Sequence, residues 1–243
     1  MKISASYEFQ PKIPTVKTSI VMDHFGVGFE QGEHVIARDL EIPILKGDIV
    51  CLTGESGSGK STLLRKIQAQ LQNVTPLEEL ELNDMPLIDG LGLEAEEGMR
   101  LLAGCGLGEA QLLLRLPAEL SEGQRYRYRM AVGLSRGGAW LCADEFTATL
   151  DRTLARVLAG NLRRCARQRG MGVLVATTHE DIVEELSPDV HVCCRLDGTI
   201  EVARGEDCKK KEDCAKSWRS APARHGTGRI FLGGITAAMP SGL

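Results

Sequence analysis

The sequence predicts an α/β fold with a mainly parallel central sheet and an antiparallel β side sheet. From residue 48 onward, short apolar runs alternate with segments of helical periodicity. Such alternation is typical of parallel strands whose crossover helices cover both faces of the sheet. The strand-like runs before residue 48 follow one another without a helix between them, and these early strands predict the side sheet.

The individual elements follow from local patterns. Strand-like runs occupy residues 19–22, 34–44, 48–52, 77–82, 139–143, 172–176, 191–195 and 199–203. Helical periodicity marks residues 60–71, 94–103, 109–114, 121–135, 151–168 and 181–186. Ser121 is the predicted N-cap of its helix, and Gly170 ends the 151–168 helix. The Leu196-Asp197-Gly198 turn predicts a hairpin between the last two strands.

Composition favours an ordinary globular protein. The chain has 243 residues, of which 43% are hydrophobic and 26% charged, and its net charge is −4. This charge gives no general attraction to nucleic acid or anionic membranes. No window approaches the roughly 18 apolar residues of a membrane span, and the first residues lack the apolar core of a signal peptide. We therefore expect a cytoplasmic chain with no span of its own, in which the eight cysteines are reduced.

The C-terminal part of the sequence differs from the rest. Residues 204–229 contain eight Lys or Arg against four acidic residues, and 226–243 are rich in glycine and small side chains. This predicts one folded domain over residues 1–203 and a basic, poorly ordered tail over 204–243. Cys208 and Cys214 lie in the tail without a further Cys or His pair at zinc spacing, so a metal site there is not expected.

A glycine-rich loop carries the strongest chemical signal. The segment from Gly54 to Ser61 fits the pattern G-x-x-x-x-G-K-[ST], and it lies between an apolar strand and a helix. Backbone N–H groups of such a loop and the following helix N-terminus cradle phosphates. Lys60 would neutralise the β- and γ-phosphates, and the Ser61 hydroxyl would bind Mg²⁺. The predicted nucleotide-binding residues are Gly54, Glu55, Ser56, Gly57, Ser58, Gly59, Lys60, Ser61 and Thr62.

Further segments narrow the class of nucleoside triphosphatase. In order, they are Leu120-Ser121-Glu122-Gly123-Gln124, the run from Ala139 to Asp144-Glu145, Thr149-Leu150-Asp151 and Thr177-Thr178-His179. This order resembles that of ATP-binding-cassette (ABC) ATPases, over roughly residues 19–203. The segments look like the family's signature, Walker B strand, D-loop and switch histidine. Glu122 replaces the more usual signature glycine. The resemblance implies a P-loop NTPase of ABC type with a small helical subdomain.

Catalytic roles follow from these positions. Asp144 ends an apolar strand and can hold Mg²⁺ together with Ser61. Glu145 is the candidate that orients or deprotonates the attacking water, and Lys60 and His179 would stabilise charge on the γ-phosphate. In isolation, an acidic pair at a strand end or a histidine after a strand is more often structural. Their place beside a complete phosphate loop favours the catalytic interpretation.

The resemblance also implies a dimer, because the signature of an ABC protein faces the nucleotide held by the opposite subunit. Ser121, Glu122, Gly123 and Gln124 would complete the site in trans, and Asp151 would lie at the same interface. The partner would be a second copy or a related ABC chain. The alternative for Ser121 and Asp151 is a simple helix-capping role.

Two features depart from the family pattern. Only 61 positions separate Lys60 from Ser121, which predicts a reduced helical subdomain without a clear Q-loop glutamine. Asp89 is the polar loop residue nearest the expected place, although a turn aspartate is the simpler interpretation. No tyrosine stands out as the adenine-stacking residue, and Phe25 and Phe29 are the candidates.

The process that the ATPase drives stays open at this point. The compact middle region favours a soluble, non-transport protein that acts on nucleic acid or another macromolecule. Arginines after the signature and along 151–168 could contact phosphates, or they could form a solvated helix face. The alternative is the ATP-binding energy subunit of a membrane ABC transporter. A third hypothesis, an ATP-gated clamp that barely hydrolyses, is weakened by the presence of Glu145 and His179.

Overall fold

The computed structural model describes residues 1–8, 13, 15–26 and 33–205, and it contains a small antiparallel sheet beside the six-stranded central one. Its strands are β1 (Lys2–Glu8) and β2 (Glu33–Glu41). The sequence did not predict β1. Ile3 and Ala5 of β1 are buried, and they contribute to the same core cluster as the central sheet. The predicted side sheet is therefore present, although one of its two strands was missed.

The segment between β1 and β2 corrects one prediction. Residues 19–22 were expected to form a strand, but they lie within helix α1 (Val16–Phe25). A capping box between Thr15 and Thr18 begins the helix, and Gly26 in the left-handed conformation ends it. These caps satisfy the free backbone groups of a helix whose β-branched residues by themselves favour a strand.

The central sheet has six strands in the order β4-β5-β6-β3-β7-β8. The strands are β3 (Ile49–Gly54), β4 (Val74–Pro76), β5 (Trp140–Ala143), β6 (Gly172–Thr177), β7 (Val190–Cys194) and β8 (Ile200–Arg204). All neighbours are parallel except the β7–β8 hairpin. The predicted, mainly parallel sheet is confirmed. The prediction of a strand at residues 77–82 is wrong. Strand β4 ends at Pro76, and a turn follows in which the N–H of Leu80 donates to the carbonyl of Leu77.

Helices cover both faces of this sheet. They are α2 (Lys60–Gln70), α3 (Ala95–Gly104), α4 (Ala110–Leu113), α5 (Glu122–Ser135), α6 (Arg152–Arg169) and α7 (Val183–Leu186). Alternate residues of β3 enter different core clusters, with Ile49 and Cys51 on one face and Val50 and Leu52 on the other. Only α3, α4 and short turns separate β4 from α5, so the helical subdomain is small.

The topology brings several chain segments to one edge of the sheet. Strands β5, β6 and β3 are neighbours and run parallel, so their carboxyl ends meet. The phosphate loop follows β3, the Asp144-Glu145 pair follows β5, and the segment with His179 follows β6. In open α/β sheets, ligands bind at this edge.

An ion pair fixes the end of β8, at the first residue of the predicted tail. Arg204 donates to Asp48 with an Nη1–Oδ2 distance of 2.6 Å, and Asp48 is only 7% exposed. The same Asp48 carboxylate accepts from the N–H of Leu45 at 2.7 Å. Arg204 therefore belongs to the folded part of the chain. The tail from residue 206 onward, with Cys208 and Cys214, lies outside the described residues, as does Phe29.

Replacing Arg204 by Met is expected to lower the free energy of unfolding by about 1–2 kcal/mol. The substitution keeps the aliphatic stem but leaves the nearly buried carboxylate of Asp48 without its cation. The matched control is Arg195→Met, which removes the more exposed pair with Glu201 and should cost less than about 1 kcal/mol. Urea unfolding of both variants measures the difference, and equal costs would contradict a role for Arg204 in the fold.

None of the helices in the part of the chain that the structure describes is both long and apolar enough to cross a membrane. Among the described residues, the cysteines at positions 51, 105, 142, 165, 193 and 194 form no disulfide bond. Burial raises the pKa of Cys105 and of Cys142 to about 12. These two thiols therefore behave as small hydrophobic side chains, as their apolar surroundings suggest.

Candidate functional site

The phosphate loop begins where β3 ends. Gly54 has a φ of 140°, and a Cβ atom there would lie 1.9 Å from the carbonyl oxygen of Cys194. Gly59 has a φ of 89° and caps the N-terminus of α2 without a side-chain hydrogen bond. The hydroxyl oxygen of Ser58 is buried and has no partner among the described residues. The loop therefore presents an open helix N-terminus and an unsatisfied hydroxyl, which fit a bound phosphate.

Lys60 spans this loop. Its ammonium group donates to the carbonyl oxygen of Glu55 at 2.7 Å, and the residue is 8% exposed. Burial lowers the pKa of Lys60, while nearby acidic groups such as Asp144 and Glu145 oppose that shift. A buried ammonium needs anionic partners, and phosphate oxygens are better partners than one backbone carbonyl.

Ser61 and Asp144 provide oxygen ligands for a cation. The Ser61 hydroxyl donates to Oδ1 of Asp144 at 3.0 Å, which brings the first turn of α2 to the end of β5. Hydroxyl and carboxylate oxygens are the ligands that Mg²⁺ prefers, with phosphates and water supplying the rest. Within the described residues, no group of three or more His, Cys, Asp or Glu side chains could hold a metal by itself. The hydroxyl–carboxylate pair itself fits Mg²⁺ that arrives with a nucleotide.

Glu78 also reaches this site, although the sequence did not indicate it. Its Oε1 atom accepts from the backbone N–H of Asp144 at 2.7 Å. Burial of the carboxyl end raises the pKa of Glu78, even though the side chain as a whole is exposed. The pairing of β4 with β5 brings the two residues together across 66 positions of sequence. No local pattern could have found this contact, because it depends on strand order.

A tight turn after β5 places Glu145 and His179 at adjacent strand ends. Glu145 has a φ of 49° and Thr147 a φ of 67°, which are uncommon for residues other than glycine. The N–H of Phe146 donates to the carbonyl of Ala176 on β6 at 2.7 Å, which fixes the turn against that strand. Nδ1 of His179 lies 3.3 Å from the Thr147 hydroxyl. Backbone strain of this kind is concentrated at functional sites.

The phosphate loop and the acidic pair line a cleft of about 620 Å³, whereas His179 lies next to the lining residue Thr178 and does not itself line the cleft. Its lining includes Ser56, Gly57, Gly59, Lys60, Ser61, Thr62, Asp144 and Glu145. Tyr7 on β1 also lines the cleft, where an aromatic ring can contact a base. Phe25, one of the two predicted adenine-stacking residues, does not line the cleft and packs its ring against His24. Tyr7 was not among the predicted adenine-stacking residues, because β1 itself was not predicted.

Comparisons with known proteins give a consistent answer. Residues 37–89 match the family model described as ABC transporter. The methionine import ATP-binding protein MetN of Corynebacterium jeikeium is 28% identical, over 73% of this chain and 59% of MetN. The aliphatic sulfonates import ATP-binding protein SsuB of Pseudomonas putida is 28% identical, over 79% of this chain and 81% of SsuB. The chain is therefore similar to ATP-binding subunits of ABC transporters over most of its length.

Solved ABC structures show the same fold. CbiO1 of Clostridium perfringens, part of the ABC transporter complex CbiONQ, aligns with a TM-score of 0.59 at 19% identity, over 79% of this chain and 89% of CbiO1. A bacterial ABC transporter cassette solved as a dimer aligns with a TM-score of 0.57 at 17% identity, over 84% and 98% of the two chains. The chain spans 59% of MetN, and 39% of the glutathione import protein GsiA of Shigella dysenteriae.

The segment predicted to be an ABC signature does not line the cleft of its own chain. Ser121 caps α5 in a reciprocal pair with Gln124, whose N–H donates to the serine hydroxyl at 3.3 Å. Gly123 packs against Leu150, to which a Cβ atom would come within 3.3 Å. Glu122 is exposed in the first turn of α5, and Asp151 caps α6 by accepting from the N–H of Leu154 at 2.9 Å. The capping alternative is thus present, and the roles in trans remain predictions.

Asp89 and several arginines of α5 and α6 have local partners. Asp89 begins a turn, its N–H bonds to the carbonyl of Pro86, and it does not line the cleft. The guanidinium of Arg125 donates to the carbonyls of Pro117, Ala118 and Leu120. On α6, Arg152, Arg156 and Arg167 pair with Asp181, Glu185 and Asp189. These contacts favour a structural role for the arginines over phosphate binding.

Proposed function

We propose that this ABC cassette binds MgATP and hydrolyses it to ADP and phosphate as the ATP-binding subunit of a membrane transporter. The convergence of Lys60, Ser61 and Asp144 at the cleft is the observation that carries the ATPase part. The transporter part is supported by the named relatives, which are import ATP-binding proteins. Homology to such subunits favours this alternative over the non-transport hypothesis.

The cassette's own residues define the reaction. The triphosphate would lie on the loop from Gly54 to Thr62, with Lys60 moving from the Glu55 carbonyl to the β- and γ-phosphate oxygens. Ser61 and Asp144 would hold Mg²⁺, which neutralises phosphate charge when bound. Glu145 orients a water for in-line attack on the γ-phosphorus and accepts its proton, while the bond to the ADP oxygen breaks.

Other groups recognise the nucleotide. Tyr7, which lines the cleft, would stack on the base, a contact worth about 1–3 kcal/mol. His179 would face the γ-phosphate through its ring. Glu78 would hold the peptide of Asp144 while the carboxylate binds the cation. A second subunit would add its signature residues, Ser121 to Gln124, to the same nucleotide.

A second candidate is a non-transport ABC ATPase that acts on a macromolecule. The observation that favours it is the short connection between α2 and α5, which leaves only α3, α4 and turns as a helical subdomain. Less surface is then available for a membrane subunit. The arginine pairing described above weakens nucleic acid as that macromolecule.

The test of the ATPase function is phosphate release by the purified chain with and without Mg²⁺. We expect hydrolysis with MgATP and a loss of at least about 100-fold after EDTA, because two of the cation's ligands come from Ser61 and Asp144. Ser61→Ala should raise the Mg²⁺ concentration needed for half-maximal hydrolysis, whereas Ser135→Ala, which removes a hydroxyl at the end of α5 outside the cleft, is the control. Equal hydrolysis with and without EDTA would contradict the proposed site.

The same assay separates the two candidate roles. Stimulation by a reconstituted multi-span membrane subunit supports the transporter role. Salt-sensitive stimulation by DNA or RNA, without any effect of a membrane subunit, contradicts it and favours the second candidate.

A further inference from the structure

A chain of hydrogen bonds connects the signature helix with the switch histidine. The hydroxyl of Tyr126, in the second turn of α5, accepts from the backbone N–H of Thr147 at 3.4 Å. The hydroxyl of Thr147 lies 3.3 Å from Nδ1 of His179. Thr147 is fully buried and has a φ of 67°, which is a costly conformation for a β-branched residue. Its place is therefore determined by its surroundings and not by its own preference.

The hydrogen bonds of the Thr147 hydroxyl determine which ring nitrogen of His179 carries the hydrogen. The Thr147 hydroxyl lies 2.6 Å from the carbonyl oxygen of Phe146, a separation at which one oxygen must donate to the other. Because a carbonyl has no proton, the hydroxyl donates to it, and its oxygen can only accept from His179. Nδ1 of His179 must then carry a hydrogen. In the neutral ring, Nε2 is left as the nitrogen with a free lone pair.

The same turn contacts α5, the helix that carries the predicted signature, in two places. Gly123 packs against Leu150, and Tyr126 holds the N–H of Thr147. The backbone of His179 is held separately, because its N–H donates to the Thr177 hydroxyl at 3.0 Å. A shift of α5 would therefore move Thr147 and change its contact with the imidazole, while the backbone of His179 stays hydrogen-bonded to β6.

We propose that Thr147 and Tyr126 are positioning residues, which hold His179 in the Nδ1–H form and link its ring to the helix that carries the signature. This proposal rests on the proposed function, in which His179 faces the γ-phosphate. Nε2 is the ring atom left for the nucleotide or the attacking water. The signature that faces one nucleotide is thereby coupled to the histidine that faces the other, within a single chain.

The test reads the tautomer directly, by ¹⁵N–¹H correlation of the histidine side chains at alkaline pH in the full-length protein. His179→Gln identifies the signal among the five histidines. Wild type and Thr147→Ser should show hydrogen on Nδ1, and Thr147→Val should move it largely to Nε2. A wild-type signal with hydrogen on Nε2, or an unchanged form in Thr147→Val, would overturn the proposal. This readout does not depend on ATPase activity, so failure of the tautomer proposal can be distinguished from failure of the proposed function.

Kinetics test the link to α5. Tyr126→Phe removes one hydroxyl and should lower kcat about tenfold, with little change in KM and a mixed tautomer signal. Tyr128→Phe is the matched control on the same helix, because its hydroxyl donates to the carbonyl of Leu87 at 3.2 Å, away from the turn. It should lower stability while leaving kcat and the His179 signal unchanged. If Tyr126→Phe behaves like Tyr128→Phe in both measurements, the coupling is wrong.

Discussion

Replacing Glu145 by Gln is expected to lower the rate of ATP hydrolysis by about 10²–10⁴-fold, with MgATP affinity changed by no more than a few fold. The exposed carboxylate of Glu145 lines the cleft at the end of β5, where a water attacking the γ-phosphate would meet it. An amide of the same shape keeps the turn but cannot accept the proton of that water. Single-turnover phosphate release and a nucleotide-binding assay measure the two quantities separately.

The matched control for this variant is Glu79→Gln. Glu79 is exposed and does not line the cleft, so the substitution makes the same change of charge without touching the reaction. We expect it to hydrolyse ATP within about twofold of the wild-type rate. A Glu145→Gln variant that hydrolyses as fast as this control would show that another group activates the water.

Gly54→Ala is expected to lower the free energy of unfolding by about 4 kcal/mol or more, or to prevent folding. The new Cβ atom would lie 1.9 Å from the carbonyl oxygen of Cys194, on the strand that pairs with β3. A backbone carbonyl in a sheet cannot move aside as a flexible side chain can. The φ of 140° adds a conformational penalty for any residue with a Cβ. Urea unfolding and soluble yield measure the effect.

Gly57→Ala provides the control within the same loop. Gly57 also has a positive φ, of 84°, but no atom lies within 4 Å of the position that a Cβ would occupy. This variant should show only the conformational cost, about 1–2 kcal/mol. Similar stability losses at the two positions would mean that backbone conformation alone, and not the close approach of β7, requires glycine at position 54.

Much of the fold could be predicted from local patterns. The alternation of apolar runs and helices indicated the parallel sheet, and Ser121 and Gly170 marked helix ends that the structure confirms. Residues 19–22 failed because their β-branched composition favours a strand, whereas Thr15 and Gly26 cap a helix around them. The strand expected at 77–82 failed because its leucines face the core from a turn after β4.

The candidate site likewise combines residues that local motifs predict with residues that only the fold brings together. The phosphate loop and the acidic pair after β5 are local motifs, and the sequence contains their full pattern. Tyr7, Glu78 and Tyr126 reach the site only through strand order and helix packing. Contacts of this kind leave no spacing pattern in the sequence. The proposed hydrogen on Nδ1 of His179 likewise depends on the hydrogen bond that the Thr147 hydroxyl donates to the carbonyl of Phe146.

The most direct test of the central claim is light scattering with size-exclusion chromatography on Glu145→Gln, with and without MgATP. An ABC site completed by the signature of a second subunit predicts a monomer of 26.4 kDa without nucleotide and a dimer of twice that mass with it. Nucleotide bound at the elution peak shows that the site is filled. A variant that binds MgATP and still elutes as a monomer would contradict a homodimeric site and a working Glu122 signature.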